Sequence, residues 1–236
     1  MNSIRYPFID GLRGVAIVLM MAYHFTFDLN HFNVVHIDFN HDHFWLSARA
    51  LIVSMFLGLV GVSLYLANGH GFNRRRYWRR IGVVSLCALA VSVASYIMFP
   101  RTMIFFGILH FIVVGSLLGV LFVRFNWINL VLGGAVLVVG LLAHDPLFNH
   151  SALQWVGFMT HKPATEDYVP VFPWFGVVLI GIFLGRYIYS DPVPAFARWQ
   201  DNTPWGRLLT LGGRHSLLIY MLHQPLFIGI LYLIFG

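Results

Sequence analysis

Lysine and cysteine are almost missing: Lys162 and Cys87 each stand alone in 236 residues. A lone cysteine excludes an intrachain disulfide, and its place inside an apolar run suits a small packing side chain. Charge of either sign is scarce, at 10% of the chain against about a quarter in a soluble domain, while hydrophobic residues reach 58% and mean hydropathy is +0.75. Those values exclude a soluble globular class and leave an all-α, polytopic integral membrane helix bundle. The N-terminus lacks the short apolar core and small-residue cleavage site of a signal peptide, so its first apolar segment is expected to stay in the mature protein. No internal repeat and no low-complexity linker divides the chain, which reads as a single transmembrane domain over 1–236.

What is there is a series of windows of about 20 mainly apolar residues, the length that crosses a bilayer core. They fall at 8–28, 46–67, 81–99, 103–123, 126–143, 172–189 and 215–235, and predict about seven transmembrane helices, eight if part of 144–170 re-enters. Net charge is +6, and all the basic residues except Lys162 are arginine. Arg5, the cluster from Arg74 to Arg80, Arg124 and the arginines from Arg186 to Arg214 flank spans on one side, while most acidic residues fall opposite. The positive-inside bias places the N-terminus in the cytoplasm and accounts for the basic excess without a nucleic-acid partner. The stretch from Asp191 to Arg214, with Pro192, Pro194 and Pro204, reads as an interfacial connector because proline breaks helices.

The first span carries Asp10, Arg13, His24 and Asp28. At about 100° per residue all four fall within a stripe roughly 60° wide, and ionisable groups on a spanning helix face a protein interior or a watery cavity. Asp28 follows His24 by one turn, a spacing at which a carboxylate can orient an imidazole as a base. Arg75, Arg76, Trp78, Arg79 and Arg80 combine guanidinium groups that bind phosphates with a flat face that stacks on a base. Intramembrane His110, His223 and Gln224 are expected to point inward, as interhelical hydrogen bonds or as lining of a cavity. The outer loop 29–45 holds His36, Asp38, His41 and His43, without the spacing of a metal motif, so no metal is expected.

Several of these stretches together resemble a known family. Asp10-Gly-Leu-Arg-Gly through His24 to Asn30, Phe106-Gly-Ile-Leu-His110, Pro173-Trp174 through Arg186, and Gly213-Arg-His-Ser through His223-Gln224-Pro225 are similar to the bacterial branch of the heparan-α-glucosaminide N-acetyltransferase catalytic-domain family. The resemblance spans nearly the whole chain. The Arg13 to His24 spacing also resembles the type-3 membrane acyltransferases, as does the pair Arg76 and Arg79. The resemblance implies a multi-pass acyltransferase of the bacterial inner membrane. It would take an acyl group, most often acetyl, from cytoplasmic acyl-CoA and deliver it to an amine or hydroxyl of an extracytoplasmic sugar or glycan. It implies His24, with Asp28, as catalytic, with His41 or His43 as the alternative, since the eukaryotic relatives have Asn at the position of His24. It further implies Arg13 as a contact to the CoA arm and Arg76 with Arg79 as part of its nucleotide-phosphate site; from the residues themselves the rest of the cluster, Arg75, Trp78 and Arg80, is expected to join that acetyl-CoA site, and His110, Trp174, His223 and Gln224 are expected to bind substrate. A rival from another class is a small proton-coupled transporter using the same stripe. Oligomeric state is left open between monomer and homodimer.

Overall fold

A computed structural model describes residues 6–69 and 71–235; Arg5, one of the orientation residues, lies outside them. The described residues form nine α-helices: α1 (Pro7–His31), α2 (His43–Gly69), α3 (Arg74–Met98), α4 (Ile108–Phe122), α5 (Trp127–Leu142), α6 (Val171–Tyr189), α7 (Ala195–Arg198), α8 (Pro204–Arg214) and α9 (Ser216–Phe235). Among them there is no β-strand, only a single bridge between Phe106 and Tyr168. Five helices, α1, α2, α3, α6 and α9, are long and apolar enough to cross a membrane. The remaining two predicted spans are realised as α4, of 15 residues, and α5, of 16. At 1.5 Å per residue they measure about 22 to 24 Å, short of a bilayer core of about 30 Å. The residues divide into two compact units, Met1–Phe56 with Val193–Gly236, and Leu57–Pro192.

In the first unit α1 starts with Pro7 in its first turn, where a missing N–H costs nothing. Its axis is held against α8 by two glycines. A Cβ on Gly14 would stand 2.0 Å from the Leu209 carbonyl oxygen, and one on Gly213 would stand 1.7 Å from that of Asp10. Small residues let two backbones approach in this way. The existence of α8 departs from the expected broken connector. Pro204 occupies the first turn, and the Thr203 hydroxyl accepts from Gly206 N at 3.1 Å. Proline there opens a helix instead of interrupting one. Beside α1, Ile17, Met20 and Tyr23 join Phe39 and Ile52 in a buried core.

In the second unit α5 packs along α6. The basic cluster, which lies outside the predicted span 81–99, forms the first two turns of α3, because the Asn73 side chain caps the helix by accepting from Arg76 N at 2.9 Å. The segment before α4 runs extended, which shortens that helix at its start. There Phe106 bridges Tyr168, and the Asp167 carboxylate accepts from Ile108 N at 2.8 Å.

Candidate functional site

The polar stripe of α1 faces the C-terminal arm of its own unit, α8 and α9, as helical periodicity requires. At its lower end Asp10, 6% exposed, accepts from Arg13 at 2.8 Å and from Arg214 at 3.4 Å. Two guanidinium groups on one buried carboxylate tie α1 to the end of α8. Arg13 is thereby engaged in an ion pair of the fold.

Three turns higher, His24 Nδ1 lies 2.6 Å from His223 Nε2, with the two rings 4.9 Å apart and 17° from parallel. The direction of that bond follows from the next one. His223 Nδ1 lies 2.7 Å from the Tyr220 carbonyl oxygen, which can only accept. His223 therefore carries its proton on Nδ1 and offers a lone pair at Nε2. Neutral His24 donates from Nδ1 into that lone pair, which leaves its own Nε2 unprotonated. No described residue bonds that nitrogen. The arrangement fixes a tautomer through a chain of two imidazoles ending on a backbone carbonyl, the same task that a carboxylate performs in a catalytic triad.

Asp28 does not make the expected contact with His24. It is 3% exposed, and its Oδ1 accepts from Gln224 Nε2 at 3.2 Å on α9. Its Oδ2 and the Gln224 Oε1 are both buried without a partner. Two orphaned acceptors in one side-chain pair form a site that a ligand bearing N–H or O–H groups would satisfy, since buried polar atoms normally have partners.

Above these residues the loop after α1 forms a shallow cavity of about 460 Å³, lined by Phe27, Asn30, Asn33, His36, Asp38 and Phe39 among others. Phe39 packs edge-on against Tyr23 at 5.5 Å, and Tyr23 in turn stands edge-on to His24 at 5.9 Å. The outer histidines are placed differently. His41 Nδ1 bonds the Asp38 carboxylate at 2.8 Å on an exposed loop, and His43 opens α2 in an exposed position. The hydrogen bond from His41, followed by that from Asn40 N, holds the Asp38 carboxyl below its usual range. Neither histidine meets the His24 pair.

Two residues of this region escaped the sequence reading. Tyr23 precedes His24 and is buried beside it, and Arg49 on α2 lies near enough to the Tyr23 phenol to act on it electrostatically. The available signal was Arg49 itself, a cation inside the apolar window 46–67, which contains no acidic residue.

The second unit holds the remaining candidates. His110 Nδ1 accepts from Gly107 N at 3.3 Å, so its proton sits on Nε2, 3.1 Å from Ser92 Oγ; Ser92 in turn donates to the Ile104 carbonyl at 2.6 Å. Each of these groups is satisfied, and the set fastens the start of α4 to α3. Trp174 lies half-buried in the first turn of α6. On α3 the positions of Arg75, Arg76, Arg79 and Arg80 cover an arc of about 140°, all four residues exposed. Trp78 borders the arc and is 58% exposed, while Tyr77 turns away to donate to the Ser116 carbonyl at 3.0 Å.

Against known proteins, the family described as heparan-alpha-glucosaminide N-acetyltransferase, catalytic, matches residues 5–225. No curated protein and no solved structure matches the chain.

Proposed function

The chain belongs to the heparan-α-glucosaminide N-acetyltransferase catalytic family, and from that premise we propose that it transfers an acyl group, most often acetyl, with His24 Nε2 as the general base. The family implies an acetyltransferase of the membrane. The observation that carries the assignment of the base is the proton chain Tyr220, His223, His24, which leaves one basic nitrogen bare on a spanning helix. A base of this kind contributes about 10²- to 10⁴-fold to a rate by taking the proton of an attacking amine or hydroxyl.

In this reading the N-terminus is cytoplasmic, acyl-CoA is the donor substrate, and an amine or hydroxyl of an extracytoplasmic sugar is the acceptor. The cavity over Phe27 and Phe39 suits a sugar, because amide, carboxylate and imidazole groups serve hydroxyls while aromatic faces serve the ring's C–H surface. The orphaned Asp28 Oδ2 and Gln224 Oε1 accept from the nucleophile before it is deprotonated. The exposed arginine arc of α3, with Trp78, suits the phosphates and base of the donor.

The test is to mix detergent-purified protein with acetyl-CoA and a set of amino and neutral sugars while following free CoA thiol. Wild type releases thiol only when an acceptor is present, and His24→Ala slows that release at least 100-fold. Equal rates for the two proteins with every acceptor would remove His24 from the chemistry.

A further inference from the structure

The outward side of α8 has no part in the acyl transfer. In steps of about 100° per residue the helix divides into three sectors. Gly206, Thr210 and Gly213 are buried, and Gly213 meets the Asp10 carbonyl of α1. On the opposite side Trp205, Leu208 and Leu211 are 76%, 58% and 52% exposed. Arg207 and Arg214, both exposed, close the circle, within about 60° of Leu211 and about 20° of each other. The fold leaves donors on both of these guanidinium groups open. Arg214 gives Nε to Asp10 at 3.4 Å, and its two terminal amino groups have no partner among the described residues. Arg207 pairs with no carboxylate among them; Asp201, which lies against Gly206, accepts from Thr203 N instead, at 2.8 Å. The place of the arginines is fixed as well. α8 ends at Arg214 and α9 begins at Ser216, while Asp10 belongs to the first turn of α1. Since α1 and α9 are both long and apolar enough to cross a membrane, Arg214 stands where two spans begin, at the depth of the lipid headgroups.

We infer that this side of α8 is a binding site for an anionic phospholipid. Such a lipid joins a phosphate to acyl chains, and the helix offers the complement of each, side by side: guanidinium donors for the phosphate oxygens and an apolar arc for the chains. Trp205 suits the boundary between them, because an indole has an apolar body and a polar N–H. A free phosphate would use the arginines and leave the arc bare. A zwitterionic lipid would cover the arc but bring its own cation to a row that is already basic. The affinity of an amphipathic helix for lipid grows with the apolar area covered and with attraction to anionic headgroups, and α8 supplies both. Because Gly213 packs against the Asp10 backbone, a lipid held here also steadies the foot of the helix that carries His24. It touches no reacting atom, and its binding is independent of the acyl transfer.

The full chain, purified in detergent, is titrated with phosphatidylglycerol or phosphatidylcholine, and bound lipid is counted by native mass spectrometry. An arginine beside anionic headgroups is worth roughly fivefold in affinity, so phosphatidylglycerol is expected to bind on the order of tenfold more tightly than phosphatidylcholine. Arg207→Gln is expected to cut that preference by about fivefold, with phosphatidylcholine binding and the melting temperature of the lipid-free protein unchanged, and Arg207→Lys to keep most of it. Trp205→Ala should weaken both lipids alike. Arg207 decides, because Arg214→Gln also takes a bond from Asp10. Equal affinity of the wild type for the two lipids overturns the inference. So does a preference that survives in Arg207→Gln and disappears when Arg75, Arg76, Arg79 and Arg80 are changed to Gln, which would place the lipid on α3. Displacement of phosphatidylglycerol by an equal concentration of inorganic phosphate or acetyl-CoA overturns it as well, since the arginines would then serve a soluble phosphate. None of these readouts involves thiol release, so their failure leaves His24 as the base, and full activity in His24→Ala leaves the lipid site in place.

Discussion

Replacing His223 by alanine separates a base that is merely present from one that is oriented. The substitution leaves His24 intact and removes the acceptor 2.6 Å from its Nδ1. Two magnitudes bracket the effect. A neutral hydrogen bond is worth about 0.5–1.5 kcal/mol, a factor of roughly 2 to 13. In the transition state, however, His24 becomes imidazolium and its Nδ1–H bonds His223 as a cation, where the bond is worth about 1.5–3 kcal/mol, a factor of roughly 10 to 150. The loss in kcat is therefore expected between about 10- and 150-fold, with the upper end favoured by the desolvated setting of His223, which is 4% exposed. His223→Gln, whose carbonyl can still accept, should recover part of it. The assay is thiol release at saturating acetyl-CoA and acceptor, with melting temperature recorded for each variant. A kcat within twofold of wild type for a folded His223→Ala protein would refute the orienting chain, as would a loss carried wholly by donor KM.

Four further outcomes are expected. Asp28→Asn places a donor where Oδ2 lacks one, so acceptor KM should rise at least fivefold while the melting temperature holds or increases; an unchanged KM would remove the orphaned pair from acceptor binding. Gly213→Ala drives a methyl group into the Asp10 carbonyl and should destabilise the protein by about 1–3 kcal/mol, read as a lowered melting temperature. Changing Arg75, Arg76, Arg79 and Arg80 together to glutamine should raise acetyl-CoA KM at least tenfold at low salt and less at high salt, because exposed charges are screened; a salt-independent KM would place the phosphates elsewhere. The Asp38 carboxyl, held low chiefly by His41, steadies its loop above the ordinary carboxylate range and loses that contribution as pH falls through the lowered value. In His41→Ala its titration, followed by NMR, should return upward.

The part of the site written along one helix was legible. Apolar length marked α1 as a span, and a 3.6-residue period collected Asp10, Arg13, His24 and Asp28 on one face, which does pack against protein. The partners were not legible, because His223 and Gln224 lie about two hundred residues away and reach α1 only through the tertiary fold. Local spacing suggested Asp28 as the orienting group of His24; a closer imidazole and a competing amide redirected both bonds. Among predicted elements, α8 was hidden by Pro204, whose effect depends on whether it falls in a first turn or later. The third span was placed from residue 81 because apolar length alone stops at the arginines, while Asn73 supplies a cap that starts α3 at Arg74. His110 was legible as an inward-pointing residue, an interhelical hydrogen bond or the lining of a cavity, and its bonds to Gly107 and Ser92 fasten the start of α4 to α3.

The central claim is that His24 Nε2 takes the acceptor's proton. The most direct measurement is the pre-steady-state rate of thiol release from acetyl-CoA in wild type, His24→Ala, His41→Ala and His43→Ala, each mixed with the same saturating acceptor. A fall of at least 100-fold is expected for His24→Ala alone. Wild-type rates in His24→Ala, with release abolished in His41→Ala or His43→Ala, would contradict it and move the base to the outer loop.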